Sequence, residues 1–579
     1  MRRRDFKRSS RRGAKSRCKS GGELVRYDPM KIALAQLDPV VGDIASNAAR
    51  IARAIDQAAA QGADLVVCGE LSVVGYPPRD LLRKERFVAD SVAAVEALAA
   101  RCTKTAALVG FVRPTPAQTG RPLQNAAALL AGGKVAHVHV KALLPTYDVF
   151  DETRYFQPGG QPGCIDFGGL RLGVSICEDL WDAQSLGRDL YAGDPIGRLR
   201  SAGADVIINM AASPYQMGKE RLREDLFARQ AKRHGVPIVY VNQVGGNDEL
   251  IFDGTSCVVG ADGRVVARAA GFREDLLLFD TQAGCGRIEP LGDEMACLSS
   301  ALKLGLRDYV TKCGFRKVVL GLSGGIDSAV VATLAADALG GENVCCIAMP
   351  SRYSSDHSVS DARALAEHLG VQYVEAPIEP AHAAFETLLG PMLTGGNVEI
   401  ASENIQARIR GNLVMAMSNA FGHLPLATGN KSELSCGYCT LYGDMCGGLA
   451  PIGDVLKTVV YRLAKQLNDE AGLARIPPGS LTKPPSAELK PNQVDQDKLP
   501  PYDLLDRILT LYVEEDLSAE QIVSRGLPAE TVDRVVRMVD AAEYKRKQAA
   551  PVLKVTSRAF GSGRRMPIAQ RYVPSGGIR

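Results

Sequence analysis

The chain has 579 residues, 46% hydrophobic and 23% charged, which fits a globular enzyme of two or more domains and excludes a fibrous or wholly disordered protein. Its net charge of +4 is concentrated in residues 1–29, which carry 11 Lys/Arg against 3 Asp/Glu, so the rest of the chain is mildly acidic and no nucleic-acid partner is expected. No apolar run approaches the roughly 20 residues that span a bilayer, so no membrane partner is expected.

Residues 1–29 (MRRRDFKRSSRRGAKSRCKSGGELVRYDP) lack the apolar core of a secretory signal. They read either as a disordered basic arm that touches polyanions or as translated sequence ahead of a start at Met30. The 14 cysteines are irregularly spaced, many of them inside apolar runs, and read as reduced thiols of a cytoplasmic protein. Cys436 and Cys439 have zinc-like spacing but no matching second pair. His137 and His139 alternate on one strand-like run and belong to no ligand set.

From residue 30 to about 280, strand-like runs at 31–37, 65–68, 106–112, 135–140, 170–177, 206–209, 238–242 and 257–260 alternate with helical ones, including 44–61 and 90–102. Three reactive side chains sit at the carboxyl ends of such runs, where α/β sheets bind ligands: Glu70, Lys141 and Cys177. Together they suffice for amide hydrolysis through a thioester. The sulfur attacks, the ammonium stabilises the thiolate and the tetrahedral oxyanion, and the carboxylate moves the proton to the departing ammonia.

Gly-rich, polar residues 282–293 read as a linker. A second α/β alternation follows, with strands at 317–322, 344–349, 372–376 and 426–427 and helices at 328–339, 361–369, 400–421 and 457–469. Pro-rich 477–501 reads as a long loop or lid, and 503–550 return to helix. Within this half, KVVLGLSGGIDSAV (317–330) is a buried strand, a small-residue loop and an Ala-rich helix. That layout aims free backbone N–H groups and a positive helix end at an anion. No Gly-Lys-Ser/Thr follows, so it is not a Walker A loop, and it lacks the spacing of a GxGxxG turn. Asp327 in this loop and Glu433 in LATGNKSEL are hard oxygen donors suited to Mg²⁺, and Lys457 could reach a phosphate.

The SGGIDS loop resembles that of the N-type ATP pyrophosphatases, which implies cleavage of ATP to AMP and pyrophosphate. The blocks GELSVVGYPPRDLL (69–82), KALLPTYDVFDETRYF (141–156) and GVSICEDLW (173–181) resemble the carbon–nitrogen hydrolases of the nitrilase superfamily. That resemblance implies an α-β-β-α sandwich with Glu70 as base, Lys141 as electrostatic stabiliser and Cys177 as nucleophile. Within the glutaminase branch it implies that Tyr147, Ser213 and Lys219 hold glutamine. With TGNKSELSCGYCTLYGDMCGG (428–448), SENIQARIRGNL (402–413) and EYKRKQ (543–548), the chain from residue 30 resembles the glutamine-dependent NAD synthetase family.

The implied architecture is α/β. A nitrilase-type glutaminase domain at 30–281 and the 282–293 linker are followed by a Rossmann-like, doubly wound parallel sheet of the ATP pyrophosphatase type at 294–579. The resemblance implies that Gly321, Leu322, Ser323, Gly324, Gly325, Ile326, Asp327, Ser328 and Thr428 bind ATP. It assigns Asn404, Glu433 and Lys545 to deamido-NAD, with Arg408 and Asp444 as further candidates, and Asp327 and Glu433 to Mg²⁺. It also implies a cytoplasmic homo-octamer that uses ATP and L-glutamine as co-substrates. Small residues are commoner in the family where this chain has Cys436 and Cys439. A second reading is another glutamine-dependent synthetase that amidates a different carboxylate with the same ATP loop.

Overall fold

Alternate residues of the first strand face two different cores. Ile32 and Leu34 point into one apolar cluster, and Ala33 and Ala35 into another. A strand apolar on both faces must lie between two layers. The computed structural model describes residues 29–160, 163–394 and 396–572; the basic arm or upstream segment expected at 1–29 lies outside them apart from Pro29. The strands of the first half are β1 (Lys31–Gln36), β2 (Leu65–Val67), β3 (Ala106–Pro114), β4 (Leu123–Ala131), β5 (Lys134–Val140), β6 (Cys164–Phe167), β7 (Leu170–Ile176), β8 (Val206–Ala211), β9 (Ile238–Asn242), β10 (Val244–Asn247), β11 (Leu250–Asp253), β12 (Cys257–Val259), β13 (Val265–Arg268) and β14 (Asp275–Asp280). Among the described residues they form two six-stranded sheets, ordered β14-β1-β2-β3-β4-β5 and β13-β12-β9-β8-β7-β6, plus the ribbon β10-β11.

The sheets face each other across Leu34, Val67, Leu108, Val174, Ile208 and Val241. The Ile44–Ala60 and Glu85–Ala99 helices cover the outer face of the first sheet through Ile51, Ile55, Val95 and Leu98. Leu226 and Phe227 of the Lys219–His234 helix pack with the second sheet. This is the α-β-β-α sandwich.

Six of these strands, β4, β6, β10, β11, β13 and β14, are absent from the expected set. The β4 run LQNAAALLA has the composition of a helix, but pairing with β3 and β5 and burial of both faces make it a strand, a case of tertiary context overriding propensity. Residues in the stretch read as a linker lie along β13, where Gly286 N donates to Val266 O at 2.8 Å and Arg268 bridges Ile288.

The second half holds a parallel sheet of β15 (Val318–Gly321), β16 (Val344–Ala348), β17 (Gln372–Glu375) and β18 (Leu424–Leu426), ordered β17-β16-β15-β18. The chain steps outward from β15 to β17 and then returns to β15's other side. The switch point therefore lies between the carboxyl ends of β15 and β18, where doubly wound sheets bind ligands. The Ile326–Leu339 helix, which follows β15, packs against the Glu294–Lys312 and Lys457–Ala471 helices.

The halves share a core. Tyr215, Val244 and Ile251 of the first half join Leu298, Leu302 and Leu553 of the second. The Glu294–Lys312 helix crosses the β10-β11 ribbon, and Lys312 Nζ donates to Asp38 Oδ1 at 2.6 Å and to Gly246 O at 2.8 Å. No helix among the described residues is long and apolar enough to cross a membrane.

Candidate functional site

In the first half, strand ends deliver the reactive groups to one buried spot. Glu70 follows β2, and its turn passes so close to β3 that a Cβ at Gly110 would stand 2.4 Å from Leu71 N. Lys141 follows β5. Its ammonium donates to Glu70 Oε1 and to Glu152 Oε1, each at 2.7 Å. Glu70 also accepts from Asn125 Nδ2 at 2.7 Å and from Ala212 N at 3.2 Å. Burial pulls the Lys141 ammonium toward neutrality, but the Glu152 and Glu70 carboxylates outweigh it and hold its pKa well above the ordinary lysine value.

Cys177 follows β7 at the turn into a short 3-10 helix, Cys177–Leu180, with φ +45°. A left-handed conformation in a non-glycine residue is held only by its surroundings. Here Asp179 accepts from Ile176 N at 2.9 Å, Leu143 N at 2.8 Å and Ala142 N at 3.0 Å, and Asn209 Nδ2 donates to Cys177 O at 3.3 Å. Asp179 thus ties the cysteine turn to the residues that follow Lys141. Burial pushes the Cys177 thiol well above its usual pKa, assisted by the Glu70 carboxylate and opposed by the Lys141 cation. The resting sulfur is therefore a thiol that needs a base.

Tyr147 donates to both oxygens of Glu178, at 2.9 and 3.0 Å, and Tyr191 joins it at 2.9 Å. Ser213 is buried just past β8, with its N–H on Asn242 Oδ1 at 2.8 Å. Lys219 opens the Lys219–His234 helix with its ammonium 5.6 Å from the centre of the Trp181 ring. Burial and the Arg223 and Lys554 cations lower its pKa to about 8.

Sequence reasoning missed Glu152, Asn125, Glu178 and Tyr76, whose hydroxyl donates to Glu152 at 2.9 Å. Glu152 and Glu178 lie inside motif blocks already singled out, so proximity to Lys141 and Cys177 was an available signal. Asn125 was hidden in the run that looks helical.

In the second half the SGGIDS loop opens a cleft of about 310 Å³ at the switch point. Gly321, Leu322, Ser323, Gly325, Ile326, Asp327, Ser328, Thr428 and Glu433 line it. Gly324 adopts φ +80°, and a Cβ there would stand 2.1 Å from Ser358 O. Ser323 N donates to Ser328 Oγ at 3.2 Å, so the loop closes on the N-terminus of the Ile326–Leu339 helix. Asn430 caps the Lys431–Cys436 helix and donates to Asp327 Oδ1 at 2.9 Å.

Lys457 bonds Asp327 and lies 3.3 Å from Glu433 Oε1. Burial raises Glu433 to about 8, with the Lys457 cation opposing and the Asp327 carboxylate adding to the shift. Two carboxylates thus converge beside a phosphate-type loop, a donor set that fits Mg²⁺. Lys483, Ser480 and Glu488 from the lid segment line the same cleft, and Ser480 Oγ donates to Gly324 O at 2.8 Å.

Asn404 and Lys545 stand outside the cleft lining and hold the 437–444 loop beside it. Asn404 accepts from Thr440 Oγ1 at 3.0 Å, and Lys545 donates to Gly437 O and Cys439 O, each at 2.7 Å. Arg408 is exposed and donates to Leu441 O at 3.2 Å, whereas Asp444 lines the cleft and accepts from Thr440 N at 2.7 Å. Burial pushes the Cys436 and Cys439 thiols up to about 12, so neither is a reactive thiolate.

Two family models match. A carbon–nitrogen hydrolase model covers residues 31–288, and an NAD synthase model covers 298–549. A glutamine-dependent NAD(+) synthetase of Synechocystis sp. is 50% identical over 558 residues, covering 94% of this chain and 99% of that one. Another, from Thermotoga maritima, is 42% identical over 583 residues, with 94% and 99% covered. Among solved structures, the glutamine-dependent NAD+ synthetase from Acinetobacter baumannii in complex with ADP superposes with TM-score 0.74 at 41% identity, covering 93% of this chain and 98% of that one.

Proposed function

The chain belongs to the glutamine-dependent NAD(+) synthetases, and we propose that its cysteine site frees ammonia from L-glutamine while its loop cleft activates the nicotinate carboxylate of deamido-NAD as an acyl adenylate. One observation carries the reading: a buried thiol beside a glutamate–lysine pair and a glycine loop at a topological switch point share one chain.

Tyr147, Ser213 and Lys219 hold glutamine, with a hydroxyl and an ammonium suited to its charged ends. Glu70 takes the Cys177 proton as the sulfur attacks the amide carbon. The Lys141 ammonium, held between Glu70 and Glu152, faces the oxyanion and prefers it to the neutral carbonyl. Glu70 returns the proton to the leaving nitrogen, and ammonia departs. Water, deprotonated by Glu70, then opens the thioester and releases glutamate, and Glu70 gives that proton to the departing Cys177 sulfur.

In the cleft, Ser323–Ser328 and Thr428 cradle ATP and Glu433 faces deamido-NAD, while Asn404 and Lys545, outside the lining, hold the 437–444 loop that flanks the dinucleotide. A carboxylate is a poor acyl donor. Its attack on the α-phosphorus expels pyrophosphate and gives a mixed anhydride, from which ammonia displaces AMP to form the amide of NAD. Asp327 and Glu433 would hold Mg²⁺, which when bound would offset the charge of the departing pyrophosphate. Lys457 orients both carboxylates. Ammonia must arrive as NH₃, which favours a passage closed to bulk water between the sites. The family resemblance further implies a cytoplasmic homo-octamer, which light scattering tests.

The deciding assay supplies ATP, Mg²⁺ and deamido-NAD with either glutamine or ammonium and measures NAD and AMP. Cys177→Ala is expected to abolish the glutamine route and spare the ammonium route. Loss of both, or ADP in place of AMP, refutes the assignment.

A further inference from the structure

One ion pair crosses from the second half into the glutamine site of the first. The loop between Pro145 and Glu152 closes on itself through Glu152 N to Pro145 O at 3.0 Å and Phe150 N to Tyr147 O at 2.9 Å. It carries two side chains of the site, Tyr147 on Glu178 and Glu152 on Lys141. Between them, at its apex, Asp148 adopts φ +49°. Aspartate tolerates this left-handed region better than most residues, and support from outside the loop fixes it there.

That support is Lys554, from the C-terminal part of the other half. Its ammonium pairs with the Asp148 carboxylate, 3.1 Å from Oδ2, and donates to Thr556 O at 2.6 Å and Ser557 O at 3.2 Å. The side chain is buried, and its backbone is pinned to the first half as well. Lys554 N donates to Glu249 O at 2.8 Å, and Met217 N donates to Val555 O at 2.9 Å, two residues ahead of Lys219. The same short segment therefore braces both walls of the glutamine site. Asp148 Oδ1 is buried and accepts no hydrogen bond, and a Cβ at Gly563 would stand 2.6 Å from it, so the C-terminal segment also closes over this side of the aspartate.

We propose that Lys554 is a positioning residue for glutamine recognition, supplied by the half that binds ATP: its ion pair with Asp148 fixes the turn that presents Tyr147. It rests on the reading of Tyr147, Ser213 and Lys219 as the glutamine site. It makes that site incomplete until residues 552–556 are docked, although Glu70, Lys141 and Cys177 all belong to the first half.

The test uses the full chain and reads NAD formation from glutamine and from ammonium side by side. Asp148→Asn keeps the shape of the apex and removes the charge. The expected result is a rise of about tenfold in KM for glutamine, the scale of one close charge pair lost. The glutamine kcat should change less, and the ammonium-driven rate should stay within twofold. Lys554→Met should do the same, and the double variant should match the worse single one, since both remove one interaction. If Lys554→Met does not fold, Asp148→Asn decides alone. An unchanged KM for glutamine in Asp148→Asn overturns the proposal, as does an equal fall of both routes, which would mark a purely structural contact. If the unaltered chain makes NAD from ammonium but none from glutamine, the reading of the site itself fails and takes the proposal with it.

Discussion

Glu70→Gln tests the division of labour at the cysteine site most directly. The carboxylate accepts from Lys141 and Asn125 through the same oxygen and from Ala212 N through the other. A glutamine amide can keep the first two with its single oxygen. Its NH₂ then faces the Ala212 N–H, so one hydrogen bond to a charged group is lost, about 1.5 kcal/mol. The larger loss is chemical. Burial holds the Cys177 thiol protonated, so without a base the sulfur cannot attack. Losing a positioned base costs about 10²–10⁴ in rate, or about 3–5 kcal/mol. The glutamine-driven kcat/KM should thus fall by between about 10² and 10⁵. The ammonium-driven rate, which bypasses the cysteine, should stay within twofold. The assay is NAD formation under each nitrogen source at fixed ATP and deamido-NAD. A glutamine-driven rate within tenfold of the unaltered chain would refute Glu70 as the base and point to Glu152, which shares Lys141.

Two further outcomes follow from the geometry. Gly324→Ala forces a Cβ against Ser358 O at a backbone angle that suits glycine. NAD formation from either nitrogen source should drop by at least about 10², the scale of misplaced reacting groups, while glutamine hydrolysis persists; normal AMP production would contradict the loop's role. Lys219, lowered to about 8 among Arg223, Lys554, Glu178, Asp253 and Cys177, binds a carboxylate only while protonated. KM for glutamine should therefore rise as pH climbs past about 8, and Lys219→Arg, which stays charged, should remove that rise apart from any part due to glutamine's own amine; a limb identical in both proteins would reject Lys219 as the contact.

The strand ends that carry Glu70, Lys141 and Cys177 were legible because each follows a β-branched, apolar run, a local signal. The SGGIDS loop was legible for the same reason, with its strand, loop and helix contiguous. What stayed hidden depends on distant chain. Residues 123–131 look helical until β3 and β5 flank them, so Asn125 was invisible as a partner of Glu70. Lys457 is legible in the sequence only as a lysine that could reach a phosphate, and folding is what brings it to Asp327, 130 residues away. Lys554 meets Asp148 across the whole second half, a contact that no periodicity encodes.

The β10-β11 ribbon bears on how this chain could be cut. Val244 and Ile251 leave the sandwich to sit among Leu298, Leu302 and Leu553. Pulling the halves apart after a cut at 282–293 would strip those side chains of their cover on one fragment and uncover the matching face of the Glu294–Lys312 helix on the other. Each piece would present a sticky, water-averse scar, so the two activities are joined by a shared interior more than by the peptide that connects them.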